Sequence, residues 1–234
     1  MSGILNQYFT GFWALLFPSI CKGCGTVLGS SREVLCRSCE SKLPKTSFLD
    51  DPENPVAQMF WGRVPLENAV SLFYYRKGEL LQNLIHQLKY HGGKETGLYL
   101  GRLAGKILNE TKLIKGTDVL IPVPLHPRKQ RIRGYNQSEL LAQGISDIIG
   151  IKVETKAVIR TIHTESQTLR KRYERWQNVS NIFKIINYKQ LIKKHIWILD
   201  DIVTTGSTIE SLCHTLQEVP EVKMSVLTIG YASG

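Results

Sequence analysis

The sequence contains no long hydrophobic run, and no Lys or Arg precedes Lys22. Its most apolar stretch, residues 8–17, is too short to span a bilayer. A secretory signal would have a basic start and a small-residue cleavage site, but Pro18 and Cys21 follow here. We therefore expect no transmembrane segment and predict a cytoplasmic protein. Residues 8–17 are interpreted as an amphipathic helix that packs on the protein or on a partner. The alternative, a membrane-surface helix, is disfavoured because its polar face lacks Lys and Arg.

Acidic residues are fewer than basic ones: 20 Asp and Glu against 30 Lys and Arg give the 234 residues a formal net charge of +10. This excess favours anionic partners such as phosphorylated metabolites, nucleic acids or acidic membrane surfaces, and it does not choose among them. The hydrophobic content of 42% is sufficient for a core, which excludes a globally disordered chain. The length allows one large domain, or a domain with a small appendage.

Cysteine is rare outside one short segment, since four of the five cysteines lie within residues 21–39 and Cys213 is isolated. The four form two C-x-x-C pairs. Paired knuckles at this separation are typical of a tetrahedral zinc site, whereas a redox C-x-x-C motif needs no second copy and disulfides are disfavoured without an export signal. Four sulfur ligands close the coordination shell, so the site would be structural and not catalytic. The predicted zinc ligands are Cys21, Cys24, Cys36 and Cys39.

Prolines recur through residues 44–65, and an acidic patch occupies residues 50–53. This composition is typical of a linker. We therefore predict three regions: an N-terminal helix and zinc module at 1–45, a linker at 46–66 and a main domain at 67–234.

Strand and helix patterns alternate in the main domain, which predicts an α/β fold with a parallel sheet flanked by helices. The helical pattern at 80–90 ends near Lys89, where paired glycines follow. Lys89 and Lys94 flank that turn and would either hold an anion or complement the helix dipole. Strand patterns cover 69–75, 117–124, 196–199 and 222–231, and further helical patterns cover 96–110 and 140–148.

The stretch that begins at Ile196 combines a buried strand, two acids and a turn of small residues. Asp200 and Asp201 end the strand pattern, and the turn opens a helix. Backbone N–H groups at such a helix start suit a phosphate, and neighbouring carboxylates suit hydroxyls, a divalent cation or both. The alternative is an ordinary helix N-cap preceded by turn residues. The turn consists of Thr204, Thr205, Gly206, Ser207 and Thr208.

Two further segments are candidates for ligand contact. Residues 128–133 carry four basic side chains and form either a solvated loop or a ligand-binding loop at the carboxyl end of a strand. In the second case Tyr135 would stack on a ring, and Asn136 and Gln137 would hydrogen-bond it. Residues 163–180 have few apolar side chains and no strand period, which suggests a functional lid or hairpin.

Four motifs occur in one order along the chain: the two cysteine pairs, IPVPLHPRKQRIRGYNQSELLA, a Q-x7-R-x2-N-x4-F pattern at 167–183, and LDDIVTTGST. Together they resemble the ComF family of phosphoribosyltransferase-like proteins, which is associated with natural competence in bacteria. LDDIVTTGST by itself is similar to the phosphoribosyl pyrophosphate motif of type I phosphoribosyltransferases.

The resemblance implies a zinc finger joined to a type I phosphoribosyltransferase core with a mobile loop over the ligand. It implies binding of phosphoribosyl pyrophosphate with Mg²⁺ and transfer of phosphoribose to an unknown acceptor, in a protein linked to DNA uptake. The alternative is a non-catalytic single-stranded DNA-binding protein that uses phosphoribosyl pyrophosphate as a regulator. Single-stranded DNA and proteins of the competence machinery are the implied macromolecular partners.

The resemblance also implies roles for individual residues. Asp200 and Asp201 would hold the ribose, directly or through metal, and residues 204–208 would hold the 5-phosphate. Lys89 would meet the pyrophosphate, and Arg175 would arrive with the lid. The basic run would share the pyrophosphate or contact an acceptor or nucleic acid; the expected pyrophosphate ligands are Arg131 and Arg133, and the expected acceptor contacts are Arg128, Tyr135, Asn136 and Gln137.

Overall fold

The protein is described from a computed structural model, which covers residues 19–29, 34–90, 93–161 and 182–232. The chain forms two compact units, Met1–Leu43 and Pro44–Gly234. Each unit is described by itself. No helix in the described ranges is both long and apolar enough to cross a membrane. The predicted helix at 8–17 lies outside the described residues.

The first unit is a small knuckle that contains helix α1 (Arg37–Ser41). Ile20 and Val27 form an antiparallel bridge, and Gly25 takes a positive φ of 76° in the turn between them. The N–H of Cys21 donates to the carbonyl of Thr26 at 2.8 Å. These bonds fold the chain back on itself, so that both cysteines of the first pair come to the same turn.

The second unit is built on a five-stranded sheet in which each neighbouring pair of strands is parallel. The strands of this unit are β1 (Asn68–Tyr74), β2 (Val119–Pro122), β3 (Lys152–Val153), β4 (Val158–Arg160), β5 (Phe183–Ile185), β6 (His195–Val203) and β7 (Lys223–Tyr231). The sheet order is β1-β7-β6-β2-β3, and β4 pairs with β5 in a separate antiparallel ladder. β6 is central, and its Trp197 is fully buried.

Helices cover the sheet, so the predicted fold class is confirmed. Those that the structure describes in this unit are α2 (Pro55–Gln58), α3 (Leu80–Tyr90), α4 (Lys94–Asn109), α5 (Pro127–Arg133), α6 (Gln137–Ile149) and α7 (Ser207–Leu216). α3 buries the apolar residues that recur along it at helical spacing: Leu81, Leu84, Ile85 and Leu88. Because all strands of the sheet are parallel, the carboxyl ends of β2 and β6 meet at one edge.

Residues 46–66, predicted as a linker, instead pack as part of the second unit. Phe48, Val56 and Phe60 are each at most 5% exposed and belong to one hydrophobic cluster with the sheet and α7. Asn54 is buried, and its Nδ2 donates to the carbonyl of Ala69 at 2.9 Å while its Oδ1 caps α2. The aromatic and aliphatic side chains of this segment cover apolar sheet surface. The segment is therefore packed in spite of its prolines.

The basic run at 128–133, expected as a loop, is helical. Pro127 occupies the first turn of α5, and Gly134 ends the helix with a positive φ of 79°. His126 caps it, since its Nδ1 accepts from the N–H of Arg128 at 3.2 Å. A proline at the start and a glycine after the end are ordinary helix signals that the charge pattern obscured.

Candidate functional site

Asp200 and Asp201 lie near the carboxyl end of the central strand β6. Asp200 is in register with Thr228 of β7, and β6 ends two residues after Asp201. Successive strand residues point to opposite faces of a sheet, so the two carboxylates reach different neighbours. The acid pair is thus held near the end of a largely buried strand at the centre of the sheet.

Asp200 is held by a polar network at the start of α6. Its Oδ1 accepts from Ser138 Oγ at 2.9 Å and from the N–H of Asp201 at 2.9 Å. Burial raises the pKa of Asp200 to about 7, and the neighbouring charge of Asp201 adds to this. The two hydrogen bonds and the charge of Lys89 act in the opposite direction. At neutral pH this carboxyl is therefore protonated in a substantial fraction of the molecules.

Asp201 forms an ion pair with Lys89. Lys89 Nζ lies 2.8 Å from Asp201 Oδ2, and both side chains are largely shielded from solvent. Lys89 is in the last turn of α3, where a cation also complements the helix dipole. The sequence-predicted Lys89 therefore does reach the acid pair.

We expect the free energy of unfolding to fall as the pH rises from about 4 through about 7, relative to an Asp200→Asn variant. The folded pKa of Asp200, about 7, lies above the ordinary value of 3.8, so the folded state keeps a proton that the unfolded chain has lost. At about 1.36 kcal/mol per pKa unit, the relative loss reaches up to roughly 4 kcal/mol. Urea unfolding of both proteins at pH 5 and pH 8 should show roughly 3 kcal/mol of this loss, since the part below pH 5 lies outside that range. A difference between the two proteins that stays constant with pH would contradict the assignment.

The turn after β6 presents small polar side chains to solvent. Thr204, Thr205 and Ser207 are exposed, and Thr205 Oγ1 lies 2.8 Å from Ser207 Oγ. Gly206 precedes α7 with a φ of 73°, which lets the chain turn into the helix. The first N–H groups of a helix have no partner within it and carry partial positive charge. The turn can therefore bind an anion of the size of a phosphate.

The turn is supported by the segment that was predicted as a linker. A Cβ on Gly206 would lie 2.9 Å from Phe60 Cε1, so the Phe60 ring packs directly against this glycine. Arg63 forms an ion pair with Glu210 in the first turn of α7, and its Nη1 donates to the carbonyl of Met59 at 2.9 Å. No sequence pattern indicated this contact, because residues 60–63 and the turn lie more than 140 positions apart along the chain.

Two cations that were not predicted as individual site residues interact with this region. Burial lowers the pKa of Lys129, and the positive charges of Arg160, Arg133 and Lys89 lower it further. Burial also lowers the pKa of Arg160, while the charge of Asp200 opposes this. Lys89 and Arg160 thus lie within electrostatic range of Asp200, and Lys129 lies within range of Lys89, Arg133 and Arg160; we call these four residues the cationic cluster. Lys129 and Arg133 are four residues apart, so recognising α5 as a helix would have placed them on one face; no sequence pattern indicates Arg160.

The other basic residues of α5 differ in how far their side chains are exposed to solvent. Arg128 and Arg131, predicted as ligand contacts, are exposed on α5. Arg133 is half-buried, donates from Nη1 to Gln137 Oε1 at 2.8 Å and lies 5.4 Å from the centre of the Tyr90 ring. The half-buried face of α5 thus belongs to the cationic cluster, whereas its outer face meets solvent.

Tyr135 and Asn136 are buried and hydrogen-bond to the backbone, whereas the sequence predicted that they contact the acceptor. Tyr135 is 8% exposed and its hydroxyl donates to the carbonyl of Leu88 at 2.7 Å. Asn136 is buried; its Oδ1 caps α6 and its Nδ2 donates to the carbonyl of Val123 at 3.0 Å. Gln137 is also buried, and its Nε2 has no hydrogen-bond partner among the described residues. The side chains of Tyr135 and Asn136 are thus engaged by the protein itself, whereas Gln137 keeps an unused donor.

Arg175 lies outside the described residues, together with the rest of 162–181. On either side of that range the described chain forms β4 and β5, which pair in antiparallel register through Ile159 and Lys184. Arg160, the last residue of β4, is the member of the cationic cluster next to this segment.

The four cysteines of the first unit come together as predicted. Their sulfur atoms all lie within 4.8 Å of one another, and Cys24 Sγ is 3.7 Å from Cys36 Sγ. None of them is in a disulfide. Burial raises the pKa of Cys21, but N–H groups, among them those of Cys36 at 3.2 Å and Gly23 at 3.4 Å, outweigh it and bring the pKa to about 6. The cluster could hold a metal ion.

No family model matches the chain. Three curated relatives bear names that concern DNA use or competence. The DNA utilization protein YhgH of Escherichia coli K12 is 34% identical over 139 residues, which cover 58% of this chain and 60% of that protein. YhgH of Salmonella typhimurium is 29% identical over 221 residues, which cover 86% of this chain and 92% of that protein. Competence protein F of Haemophilus influenzae is 31% identical over 145 residues, which cover 60% of this chain and 63% of that protein.

The predicted resemblance to the ComF family is confirmed, since these relatives are 29–34% identical to the chain. The match to the Escherichia coli relative spans about three fifths of that protein's length.

Solved structures that align with the chain include an amidotransferase and a phosphoribosyltransferase. Glutamine phosphoribosylpyrophosphate amidotransferase from B. subtilis aligns with a TM-score of 0.40 and 17% identity, over 60% of this chain and 30% of that one. A purine phosphoribosyltransferase from Pyrococcus horikoshii aligns with a TM-score of 0.36 and 16% identity, over 58% of this chain and 83% of that one. At these scores the alignments carry no argument about activity.

Proposed function

We propose that this ComF relative binds phosphoribosyl pyrophosphate with Mg²⁺ at the carboxyl edge of its sheet and transfers phosphoribose to an acceptor. The observation that carries the proposal is the junction of β6 and α7. There an acid pair with its own lysine is followed directly by an exposed turn at a helix N-terminus. A carboxylate pair suits the ribose hydroxyls, and the turn suits the 5-phosphate.

The cationic cluster supports a position for the pyrophosphate. The cluster joins cations from α3, α5 and β4, and two of its members, Lys89 and Arg160, interact electrostatically with Asp200. The proposal therefore moves the pyrophosphate contacts from the exposed Arg131 to the half-buried face of α5. Arg175, which lies outside the described residues, remains a proposed contact of the closing lid. Mg²⁺ bound with the pyrophosphate would neutralise part of its charge, and Asp200 and Asp201 offer the oxygen ligands it prefers.

The chemistry required of the chain is positioning and charge stabilisation. The bond between C1 of the ribose and the pyrophosphate oxygen breaks, and its electron pair leaves with the pyrophosphate. A lone pair of the acceptor then forms the new bond to C1. Positive charge develops on the sugar ring, as in glycoside hydrolysis, and negative charge on the leaving group meets the cationic cluster. No covalent enzyme intermediate is needed, so the site requires no nucleophilic side chain.

Isothermal titration with phosphoribosyl pyrophosphate, with and without Mg²⁺, tests the proposal. We expect saturable binding at one site per chain, tighter with Mg²⁺ than without it. Pyrophosphate release measured with nucleobases, amines and DNA oligomers then identifies the acceptor. Absence of heat with Mg²⁺ present would refute the site; binding without pyrophosphate release for any acceptor would favour a regulatory role.

We further propose that the four-cysteine cluster binds structural zinc. In a tetrahedral site with Zn–S bonds of about 2.3 Å, the sulfur atoms lie about 3.8 Å apart. The 3.7 Å between Cys24 Sγ and Cys36 Sγ supports this fit. Zinc at this position would stabilise the fold of the small unit, in whose described residues few apolar side chains are buried.

We expect one equivalent of zinc per chain in protein purified under reducing conditions. Cys36→Ser should lose the metal, because removing one of four thiolates opens the site. Elemental analysis gives the zinc content, and the thiolate charge-transfer band of the Co²⁺-substituted protein reports the ligand set. Cys213→Ala, which changes a buried cysteine of α7, is the control and should keep its zinc. Retention of zinc by Cys36→Ser would contradict the assignment.

A second candidate function, single-stranded nucleic-acid binding, is favoured by the surface beside α5. Tyr90 is 62% exposed, and the Arg133 guanidinium lies 5.4 Å from its ring centre. Ile132 on the same helix is 78% exposed. An exposed aromatic ring beside a guanidinium suits single-stranded nucleic acid, because a base can stack on the ring while the cation contacts a phosphate. We therefore propose that a base stacks on Tyr90, and not on the buried Tyr135 as the sequence predicted.

Fluorescence anisotropy with a labelled oligothymidine tests this second candidate. Tyr90→Ala should weaken binding about tenfold, because base stacking on an aromatic ring contributes about 1–3 kcal/mol. Tyr188→Ala, also an exposed tyrosine, is the matched control and should leave affinity unchanged. Binding that does not weaken as salt is added would argue against phosphate contacts.

A further inference from the structure

At the amino edge of the sheet, away from the acid pair, the second unit has a preformed cavity of about 190 Å³. It lies between residues 48–67 and the first residues of β1. Its buried floor includes Phe48, Phe60 and Val64. Asn54 fixes this wall through its bonds to Ala69 and α2, so the cavity does not depend on a ligand for its shape.

Acidic and aromatic residues line this cavity, whereas the linings of two other cavities include lysine. Asp50, Asp51 and Glu67 line it, whereas no Lys, Arg or His does. Within the described ranges, none of these three carboxylates forms an ion pair. Trp61 also lines the cavity and is 57% exposed. An acidic pocket with an open indole face is thus present on a chain of formal charge +10.

We propose that this cavity binds an arginine side chain from a peptide segment of a partner protein. The planar guanidinium stacks on an indole ring and pairs with carboxylates in a way that the compact ammonium of lysine does not. The cavity volume suits one long side chain and excludes a folded element. Leu66 and Leu113 also line it and provide apolar surface for a neighbouring residue of the same peptide.

The proposal does not depend on the proposed transferase site. Asn68, which lines the cavity, begins β1, whereas Asp201 lies near the carboxyl end of the parallel strand β6. Changes at Asp50 and Glu67 therefore leave the acid pair and its ion pair with Lys89 in place. Failure of peptide binding and failure of phosphoribosyl pyrophosphate binding can be observed separately in the same protein.

Fluorescence anisotropy with the labelled peptide Leu-Arg-Leu-Arg-Leu tests the proposal. We expect saturable binding to the full chain, and weaker binding of the peptides in which Lys or Glu replaces Arg. Asp50→Asn combined with Glu67→Gln should weaken binding about tenfold, because it removes the charge partners of the guanidinium. Trp61→Ala should weaken it about fivefold by loss of the cation–π contact. All three side chains are exposed, so these variants are expected to fold.

The matched control is Glu79→Gln combined with Asp147→Asn, which changes the net charge equally at two carboxylates outside the cavity. It should alter affinity less than about twofold, because exposed charges at that distance are screened. Equal losses in the two double variants would overturn the proposal, since binding would then follow net charge alone. Equal affinity of the Lys peptide, or no binding of the Arg peptide at millimolar concentration, would also overturn it.

Discussion

Asp201→Asn is expected to weaken the binding of phosphoribosyl pyrophosphate roughly 100-fold or more, because each hydrogen bond to a charged group contributes about 1.5–3 kcal/mol. Asn keeps the shape of the side chain but lacks the charge that a ribose hydroxyl or Mg²⁺ would meet. It also leaves Lys89 without the carboxylate that lies 2.8 Å away. Calorimetric titration of the variant with the Mg²⁺ complex measures the loss.

Two observations separate a binding defect from a folding defect in this variant. Asp201 and Asp200 repel each other, since the charge of Asp201 raises the pKa of Asp200. Removing that charge should lower the pKa of Asp200, which offsets part of the stability lost with the Lys89 ion pair, so the protein should still unfold in one cooperative transition. Asp147→Asn changes one exposed carboxylate near Arg102 and serves as the control. Wild-type affinity in Asp201→Asn would remove the acid pair from the proposed site.

Gly101→Ala is expected to destabilise the second unit by about 1–3 kcal/mol or more, which is the cost of overpacking a close contact. In an exposed helix the same change stabilises by about 1 kcal/mol, so the sign itself is diagnostic. A Cβ on Gly101 of α4 would lie 2.3 Å from the carbonyl oxygen of Leu141 in α6. That atom belongs to the backbone and cannot move without moving the helix. Urea unfolding measures the change.

The contact is reciprocal, which allows an independent check. A Cβ on Gly144 of α6 would lie 2.4 Å from the carbonyl oxygen of Leu98 in α4, so Gly144→Ala should destabilise similarly. Displacement of α6 would also move Ser138, which hydrogen-bonds Asp200. Gly29→Ala is the control, because no described residue other than its chain neighbours has an atom within 4 Å of the added Cβ. Unchanged or increased stability in both helix variants would show that the helices separate at little cost.

The fold class followed from local patterns. Apolar residues at helical spacing predicted 80–90 as a helix, and α3 is Leu80–Tyr90. The uncharged run before Asp200 predicted a buried strand, and β6 is central and buried. Such patterns succeed because burial imposes the period of each element on its sequence. They failed at 46–66 and 128–133, where proline and charge suggested exposed chain. Phe48 and Phe60 nevertheless pack in the core, and Pro127 and Gly134 bound a helix.

The sequence by itself determined the cysteine cluster, the acid pair and the turn, because each is a local motif whose members are close along the chain. Only the tertiary structure decided which distant residues join them. It brought Lys89 to Asp201, Ser138 and Arg160 to Asp200, and Phe60 beneath Gly206. It also buried Tyr135 and Asn136, which the pattern had assigned to a ligand. The reason is physical: spacing along a helix or strand follows from backbone geometry, whereas contacts between elements depend on how their faces pack.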